Sequence, residues 1–170
     1  SPAWAADSAV FASGAGTEAD PYLIENASQL AAFRDAVNAG DDYDGKYVAL
    51  GADIDLESAE WTPIGVGTRK SSGIAEGSTP FAGTFDGAGH VISGLKIAST
   101  QGADFAIGLF GILDGATVKN LTVADAEVTV PQSELAGILC GMMANDATAS
   151  GVSVSGSVSG KAGVGGIAGR

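Results

Sequence analysis

The chain has little cysteine, little histidine and no long apolar run, and each scarcity narrows its chemistry. A single cysteine, Cys140, excludes a disulfide within the 170 residues. One cysteine and one histidine, His90, cannot supply the clustered ligands of a zinc site, and no H-E-x-x-H motif is present. We therefore predict no catalytic residue, no metal site and no cofactor here. No apolar run approaches the ~18 residues of a membrane span, so we expect no membrane insertion of this segment.

Basic residues are also scarce. Eight Lys and Arg oppose 20 Asp and Glu, giving a formal net charge of −12. The imbalance lies mainly in residues 1–60, where twelve acidic residues face only Arg34 and Lys46. An acidic surface repels phosphate backbones, and the sequence contains no basic stripe. We therefore expect no nucleic-acid partner.

Three features resemble sites but have simpler interpretations. Cys140 lies in an apolar segment without a neighbouring basic residue, which predicts a buried core thiol. His90 follows a glycine-rich corner without a nucleophile motif, so we interpret it as a corner residue. In the acidic segment Asp41-Asp42-Tyr43-Asp44-Gly45, a calcium loop begun at Asp42 would place Tyr47 where glycine is needed. A solvated turn is the better interpretation.

Glycine is abundant, and it recurs at regular intervals. Gly108-Leu109-Phe110-Gly111 is followed by Gly137-Ile138-Leu139-Cys140 and by Gly166-Ile167-Ala168-Gly169, so that both steps are 29 residues. Self-similarity at a period of about 20 to 50 residues is typical of a solenoid. The five-residue segment ending at Gly141 carries one extra residue before its closing glycine, which predicts a bulge there.

Alternating apolar and polar residues accompany these glycine motifs. Residues 91–97 match residues 117–123, and more loosely residues 149–154, with apolar residues two positions apart as in half-buried strands. Short strands, tight corners and a long period predict an all-β fold, a right-handed parallel β-helix. An antiparallel sandwich or barrel is the competing hypothesis, because Asp86-Gly87 between apolar residues within 84–91 is a hairpin signal.

One helix is predicted, at about residues 28–39. Asn26 or Ser28 can cap it, an apolar stripe runs from Leu30 to Val37, and Gly40 ends it. A β-helix exposes strand edges at its ends, so we assign this helix as the N-terminal cap. The domain prediction is a signal-peptide remnant or flexible N-terminus over 1–10, a cap over 11–45, and β-helix coils over 46–170.

The order of several motifs resembles bacterial GLUG-motif proteins over roughly residues 11–170. The motifs include Asp20-Pro21-Tyr22-Leu23-Ile24, Asp53-Ile54-Asp55-Leu56, Trp61-Thr62-Pro63-Ile64-Gly65, the run from Phe81 to Leu95, and the tetrads beginning at Gly108 and Gly166. The resemblance implies a secreted or cell-surface bacterial protein with β-helical repeats. Such repeats occur in adhesin-like proteins and before the catalytic domain of IgA-cleaving metalloproteases. No catalytic residue is carried over.

The two ends of the chain suggest an exported fragment. Ala3-Trp4-Ala5 has the small-x-small pattern of a signal-peptide cleavage region. Residues 165–170 open a coil without a companion strand, which predicts that the chain is truncated at its C-terminus. An open coil there would also allow end-to-end packing with another molecule.

The favoured functional hypothesis is a non-catalytic adhesin or stalk module. Loop 65–79 is the largest irregular insertion, and its residues Arg69, Lys70, Ser71 and Ser72 are the candidate contacts for a host or cell-surface glycan or protein. One alternative is the targeting region of a secreted metalloprotease. The other is a carbohydrate-active β-helix enzyme, although Arg69 and Lys70, the sole adjacent basic pair, have no identifiable partner base.

Overall fold

The computed structural model describes residues 10–170, which form a mostly β structure with one helix, α1 (Ala27–Asn38). Residues 1–9, and with them almost all of the predicted signal-peptide remnant, lie outside the described residues. The strands are β1 (Tyr22–Ile24), β2 (Tyr47–Leu50), β3 (Ile54–Asp55), β4 (Arg69–Lys70), β5 (Gly73–Ile74), β6 (Thr84–Asp86), β7 (Val91–Ser93), β8 (Lys96–Ala98), β9 (Ala106–Ile107), β10 (Phe110–Asp114), β11 (Thr117–Val130), β12 (Leu135–Gly137), β13 (Cys140–Ala144), β14 (Thr148–Gly160) and β15 (Val164–Gly165).

Helix α1 lies where the sequence predicted a helix, displaced by about one residue. Asn26 is its N-cap, because the side-chain oxygen accepts a hydrogen bond from Gln29 N at 2.8 Å. The helix ends at Asn38 with Ala39 as its C-cap, and Gly40 follows at a φ of +117°. Most of the apolar stripe is fully buried, and the Phe33 ring packs against core phenylalanines.

The strands pair mainly in parallel with strands distant in sequence. The largest sheet has the order β1-β2-β6-β11-β7-β3, with β8 and β14 also pairing with β11. The long strand β11 pairs with β6, β7 and β8 on one side and with β14 on the other, all in parallel. Strands β6 and β7 therefore do not form a hairpin with each other, and the antiparallel interpretation of residues 84–91 is wrong.

The strand alignment made from the sequence is partly wrong. Leu121 and Val123 pair with Val152 and Val154, as the alternation predicted. However, β11 begins against β6, and its Val123 lies opposite Ile92, not opposite Ile97 as predicted. The predicted match of residues 117–123 with residues 91–97 is therefore wrong. The same alternating pattern occurs in β7 and again in β8, which pair with different parts of β11. Sequence similarity alone cannot distinguish these segments, whereas backbone pairing can.

The glycine motifs are spaced less regularly than the sequence indicated. Ile107 pairs with Ala136, 29 positions later, whereas Phe110 pairs with Cys140, 30 positions later. One extra residue therefore lies in this part of the second segment, as predicted. Gly137 pairs with Gly165, not Gly166, at a spacing of 28. The third segment thus begins one residue earlier than predicted, and the constant 29-residue step is wrong.

Alternate residues of the strands fill a continuous apolar core. Val118, Leu121, Val123, Ala126 and Val128 of β11 are at most 4% exposed, while the residues between them are half-buried or exposed. Aromatic rings fill the region between α1 and the sheet, where the Phe81 and Phe110 centroids are 5.6 Å apart. Cys140 is fully buried, and this burial raises the pKa of its thiol to about 12.

Candidate functional site

The predicted contact loop contains a small hairpin. Strands β4 and β5 pair antiparallel, with Arg69 opposite Ile74 and Lys70 opposite Gly73. Ser71 and Ser72 form the turn between them, and Gly73 adopts a φ of +129°. A Cβ atom added at Gly73 would meet nothing within 4 Å, so this turn has open space around it. Loop 65–79 is therefore more ordered than the irregular insertion predicted from the sequence.

Arg69 holds the hairpin to the rest of the structure. Its Nη2 atom lies 2.6 Å from Asp104 Oδ1 and 3.2 Å from Glu134 Oε2. Glu134 Oε1 in turn lies 3.0 Å from Lys161 Nζ. These contacts raise the pKa of Arg69, chiefly through Asp104, and lower the pKa of Glu134, chiefly through Lys161. The geometry gives Arg69 an anchoring role.

The other three candidate contact residues remain open to solvent. Lys70, Ser71 and Ser72 are all exposed, whereas Arg69 is partly buried. The sequence did not identify the Arg69 partners. The one available signal was spacing, since charged residues at 69, 104, 134 and 161 follow one another at roughly the repeat interval. The structure therefore divides the four predicted residues into one anchor and three surface groups.

The histidine and acidic residues at the corners mainly satisfy backbone groups. Asp53 Oδ1 accepts a hydrogen bond from Val91 N at 3.0 Å and lies 3.1 Å from His90 Nδ1. The Val91 N–H, followed by the His90 contact, lowers the pKa of Asp53. Asp55 Oδ1 accepts from Glu57 N at 2.7 Å. These contacts give both carboxylates a turn-stabilising role.

The acidic turn after α1 has the same character. Asp41 Oδ1 accepts from Tyr43 N at 3.1 Å, and Asp42 Oδ1 accepts from Asp44 N at 2.9 Å. Within residues 10–170, no group of three or more His, Cys, Asp or Glu side chains is placed to hold a metal ion. The aspartates therefore shape this turn through local backbone contacts.

A groove, which the sequence did not indicate, lies between residues 60–66 and residues 97–107. Backbone β-bridges pair Glu60 with Lys96 and Ile64 with Phe110, both in parallel. The segment from 96 to 110 is therefore ten residues longer between these bridges than the segment from 60 to 64. The longer segment loops out and leaves a cavity of about 240 Å³. Its lining comprises Glu60, Trp61, Thr62, Pro63, Val66, Ile97, Ala98, Ser99, Gln101, Phe105 and Ile107.

The helical part of the described chain is limited to the short α1. No helix in residues 10–170 is long and apolar enough to cross a lipid bilayer.

Comparison with known proteins gives a small set of similarities. No family model matches the chain. The chain is 37% identical over 138 residues to "Putative Gly-rich membrane protein" of Evansella cellulosilytica, a match that covers 80% of this chain. It is 32% identical over 159 residues to "Halomucin" of Haloquadratum walsbyi, which covers 92% of this chain. The matches span only 15% and 2% of those two proteins.

One solved structure is similar in both fold and sequence. It is the crystal structure of a "putative immunoglobulin A1 protease" from Bacteroides ovatus, with a TM-score of 0.50 and 27% sequence identity. The match covers 76% of this chain and 33% of that chain. In each of the three cases the match covers about a third or less of the other protein.

Proposed function

We propose that this chain is a non-catalytic module of a larger bacterial cell-surface or secreted protein, of the adhesin or stalk type. The observation that carries the proposal is that 80% and 92% of this chain match only 15% and 2% of two longer proteins. The names of two of them, a Gly-rich membrane protein and Halomucin, fit a surface or secreted location. The GLUG-like motifs of the sequence support the same assignment.

We further propose that the strands form a right-handed parallel β-helix with α1 as its N-terminal cap. Parallel pairing between β11 and β14, 30 to 31 positions apart, supports successive coils of similar length. Right-handed crossovers are strongly favoured for parallel strands, which supports the handedness. The burial of Leu30 and Phe33 against the core supports the capping role of α1.

Engineered cysteines test the stacking of these coils. The hydroxyl oxygens of Thr117 and Thr148 lie 3.4 Å apart, so T117C/T148C in a C140A background should form an intramolecular disulfide under mild oxidation. T117C/S155C is the matched control, because Ser155 lies seven residues further along β14. Intact mass and gel mobility report the bond. Equal crosslinking of both pairs would contradict the stacking.

We propose that Lys70, Ser71 and Ser72 contact a host or cell-surface glycan or protein. The triple variant K70A/S71A/S72A removes these exposed groups and leaves the Arg69 ion pairs in place. Binding to immobilised glycans and matrix proteins should fall in this variant and persist in K46A, an exposed lysine elsewhere. Full binding by the triple variant would reject the hairpin as the contact surface. A chain without any such binding would instead favour a stalk.

The targeting region of a secreted metalloprotease is a second candidate. The similarity to a "putative immunoglobulin A1 protease" favours it. The coding sequence after Arg170 distinguishes the two proposals. Further GLUG-like coils and a sorting signal would favour a stalk or adhesin, whereas a downstream H-E-x-x-H domain would favour the protease. New reducing ends or unsaturated products from acidic polysaccharides would instead favour a carbohydrate-active enzyme.

End-to-end packing through the C-terminal coil is part of the same proposal. Val152, Val154 and Val158 of β14 are partly exposed, although their partners in β11 are buried. A further strand adding to this edge would cover them. Concentration-dependent association of the chain, measured by light scattering, should weaken in V154K. Association unchanged by this charge would contradict packing at this edge.

A further inference from the structure

The groove between residues 60–66 and 97–107 arises from the unequal lengths of two paired segments. Two backbone β-bridges, Glu60 with Lys96 and Ile64 with Phe110, enclose segments of unequal length. Residues 60–64 run directly between the bridges, whereas residues 96–110 loop out. The shorter segment, residues 60–64, therefore has no backbone to pair with the looped part of residues 96–110, and the groove lies there. We propose that this groove binds a single neutral saccharide unit, a ligand site that deepens the proposed surface function.

The groove has an apolar interior and a polar edge. Ile97 and Ile107 are almost fully buried in its wall, and the Phe105 ring is partly exposed beside them. Glu60 and Gln101 are exposed at the opening. A sugar ring presents apolar C–H groups on its faces and hydroxyl groups around its rim. Apolar lining with a few convergent polar groups suits such a ligand.

The backbone at the groove disfavours an extended peptide as the ligand. A peptide adding to a strand edge would accept a hydrogen bond from the free backbone N–H groups there. Ala98 N, at the end of β8, already donates to Glu60 Oε1 at 2.9 Å. Ser99 N donates to Thr129 O on the opposite side. Side-chain groups at the opening are thus better placed than backbone groups to bind a ligand.

Size and charge narrow the ligand class. A cavity of about 240 Å³ lies below the range of drug-sized pockets, which begins at about 300 Å³, and suits one sugar unit. The net charge of −12 and the Glu60 carboxylate disfavour an anionic sugar. A cationic ligand would gain little from Glu60, because ion pairs at exposed carboxylates are weak. Neutral hydroxyl donors, in contrast, suit the carboxylate and amide oxygens.

The test uses the 170-residue chain and a panel of methyl glycosides. The neutral probes are methyl glucoside, galactoside, mannoside and N-acetylglucosaminide; methyl glucuronide is the anionic probe and propylammonium the cationic one. Amide chemical-shift mapping should place at least one neutral probe at residues 60–66 and 97–107, with a Kd on the order of millimolar. Q101A should weaken that binding at least about three-fold through loss of a hydrogen bond.

Q132A is the matched control, because Gln132 is an exposed glutamine in the equivalent segment of the following repeat. It should bind the probe as the unmodified chain does. E60Q retains an oxygen for Ala98 N and should still bind the neutral probe.

Three outcomes would overturn the inference: no neutral probe shifts the groove residues, Q101A binds as Q132A does, or propylammonium or glucuronide binds more tightly than every neutral probe. Hairpin-dependent binding to surfaces, measured with K70A/S71A/S72A, is independent of this result. Failure at the groove alone therefore leaves the proposed function standing.

Discussion

A methyl group at Gly111 should disrupt the packing of this residue against the neighbouring backbone at Gly65. A Cβ atom there would lie 2.4 Å from the carbonyl oxygen of Gly65 and 3.2 Å from that of Ala106. Both contacts are with backbone, which cannot rotate away as a side chain can. Reaching an ordinary contact of 3.4 Å with Gly65 requires a local displacement of about 1 Å. The φ of Gly111 lies outside the left-handed region, so its backbone conformation does not require glycine. The close approach of the neighbouring backbone does.

The displacement would also stretch backbone hydrogen bonds. Gly111 N donates to Ile64 O at 2.8 Å, and Ile112 N donates to Gly65 O at 2.9 Å. Overpacking typically costs about 1–3 kcal/mol, and each lost hydrogen bond adds about 1 kcal/mol. We expect G111A to lower the free energy of unfolding by about 3–5 kcal/mol. For a chain of this length, that corresponds to a Tm decrease of about 6–20 °C.

Gly102 provides the matched control. A Cβ atom there would meet nothing within 4 Å, and Gly102 has no positive φ. G102A should therefore leave stability unchanged or raise it by up to about 1 kcal/mol, since alanine restricts the unfolded chain. Urea and thermal unfolding followed by circular dichroism measure both variants. If G111A and G102A unfold at the same urea concentration, the close-approach argument is wrong.

Three further predictions concern the thiol, a turn and the ion pairs. Cys140, with its pKa raised to about 12 by burial, should resist iodoacetamide at pH 8 in the folded chain and react after unfolding in urea, as mass spectrometry would detect. Asn120 has a φ of +53°, a conformation that alanine adopts less readily than asparagine or glycine. N120A should therefore reduce the free energy of unfolding by about 1 kcal/mol, and N120G should change it less. Equal urea midpoints for N120A and N120G would contradict this. The pKa of Glu134 is depressed in the folded state, so its stabilising contribution is present above its ordinary value of 4.5 and is lost as pH falls through the folded value. E134Q should therefore flatten the decline of Tm below pH 4.5, and a decline as steep as that of the unmodified chain would contradict the assignment.

Much of the architecture was predictable because it depends on local patterns. A cap at Asn26 or Ser28 and the apolar stripe from Leu30 to Val37 are enough to predict α1. The structure places the helix over Ala27–Asn38 and selects Asn26 as the cap. Alternation of apolar and polar residues predicts one-sided burial, which β11 confirms. The burial of Cys140 likewise followed from its apolar neighbours. Each of these properties is set within a few residues of chain.

The candidate site was less predictable. The sequence identified the hairpin residues from the length of loop 65–79, but it did not separate anchored Arg69 from exposed Lys70. That distinction depends on Asp104 and Glu134, which lie 35 and 65 positions further along the chain. The groove depends on the unequal lengths of two segments that are paired at both ends. It becomes visible only when the bridge from Ile64 to Phe110 is known.

The sequence by itself determined a mostly β chain with a glycine-rich repeat, one N-terminal helix and an acidic first third. Tertiary structure alone decided the register, including the pairing of Val123 with Ile92 and of Gly137 with Gly165. The physical reason is that a period-two pattern is satisfied by several registers that bury the same face. Turns with positive φ at Asn120 and Asp125, backbone hydrogen bonds and close glycine contacts select one of them.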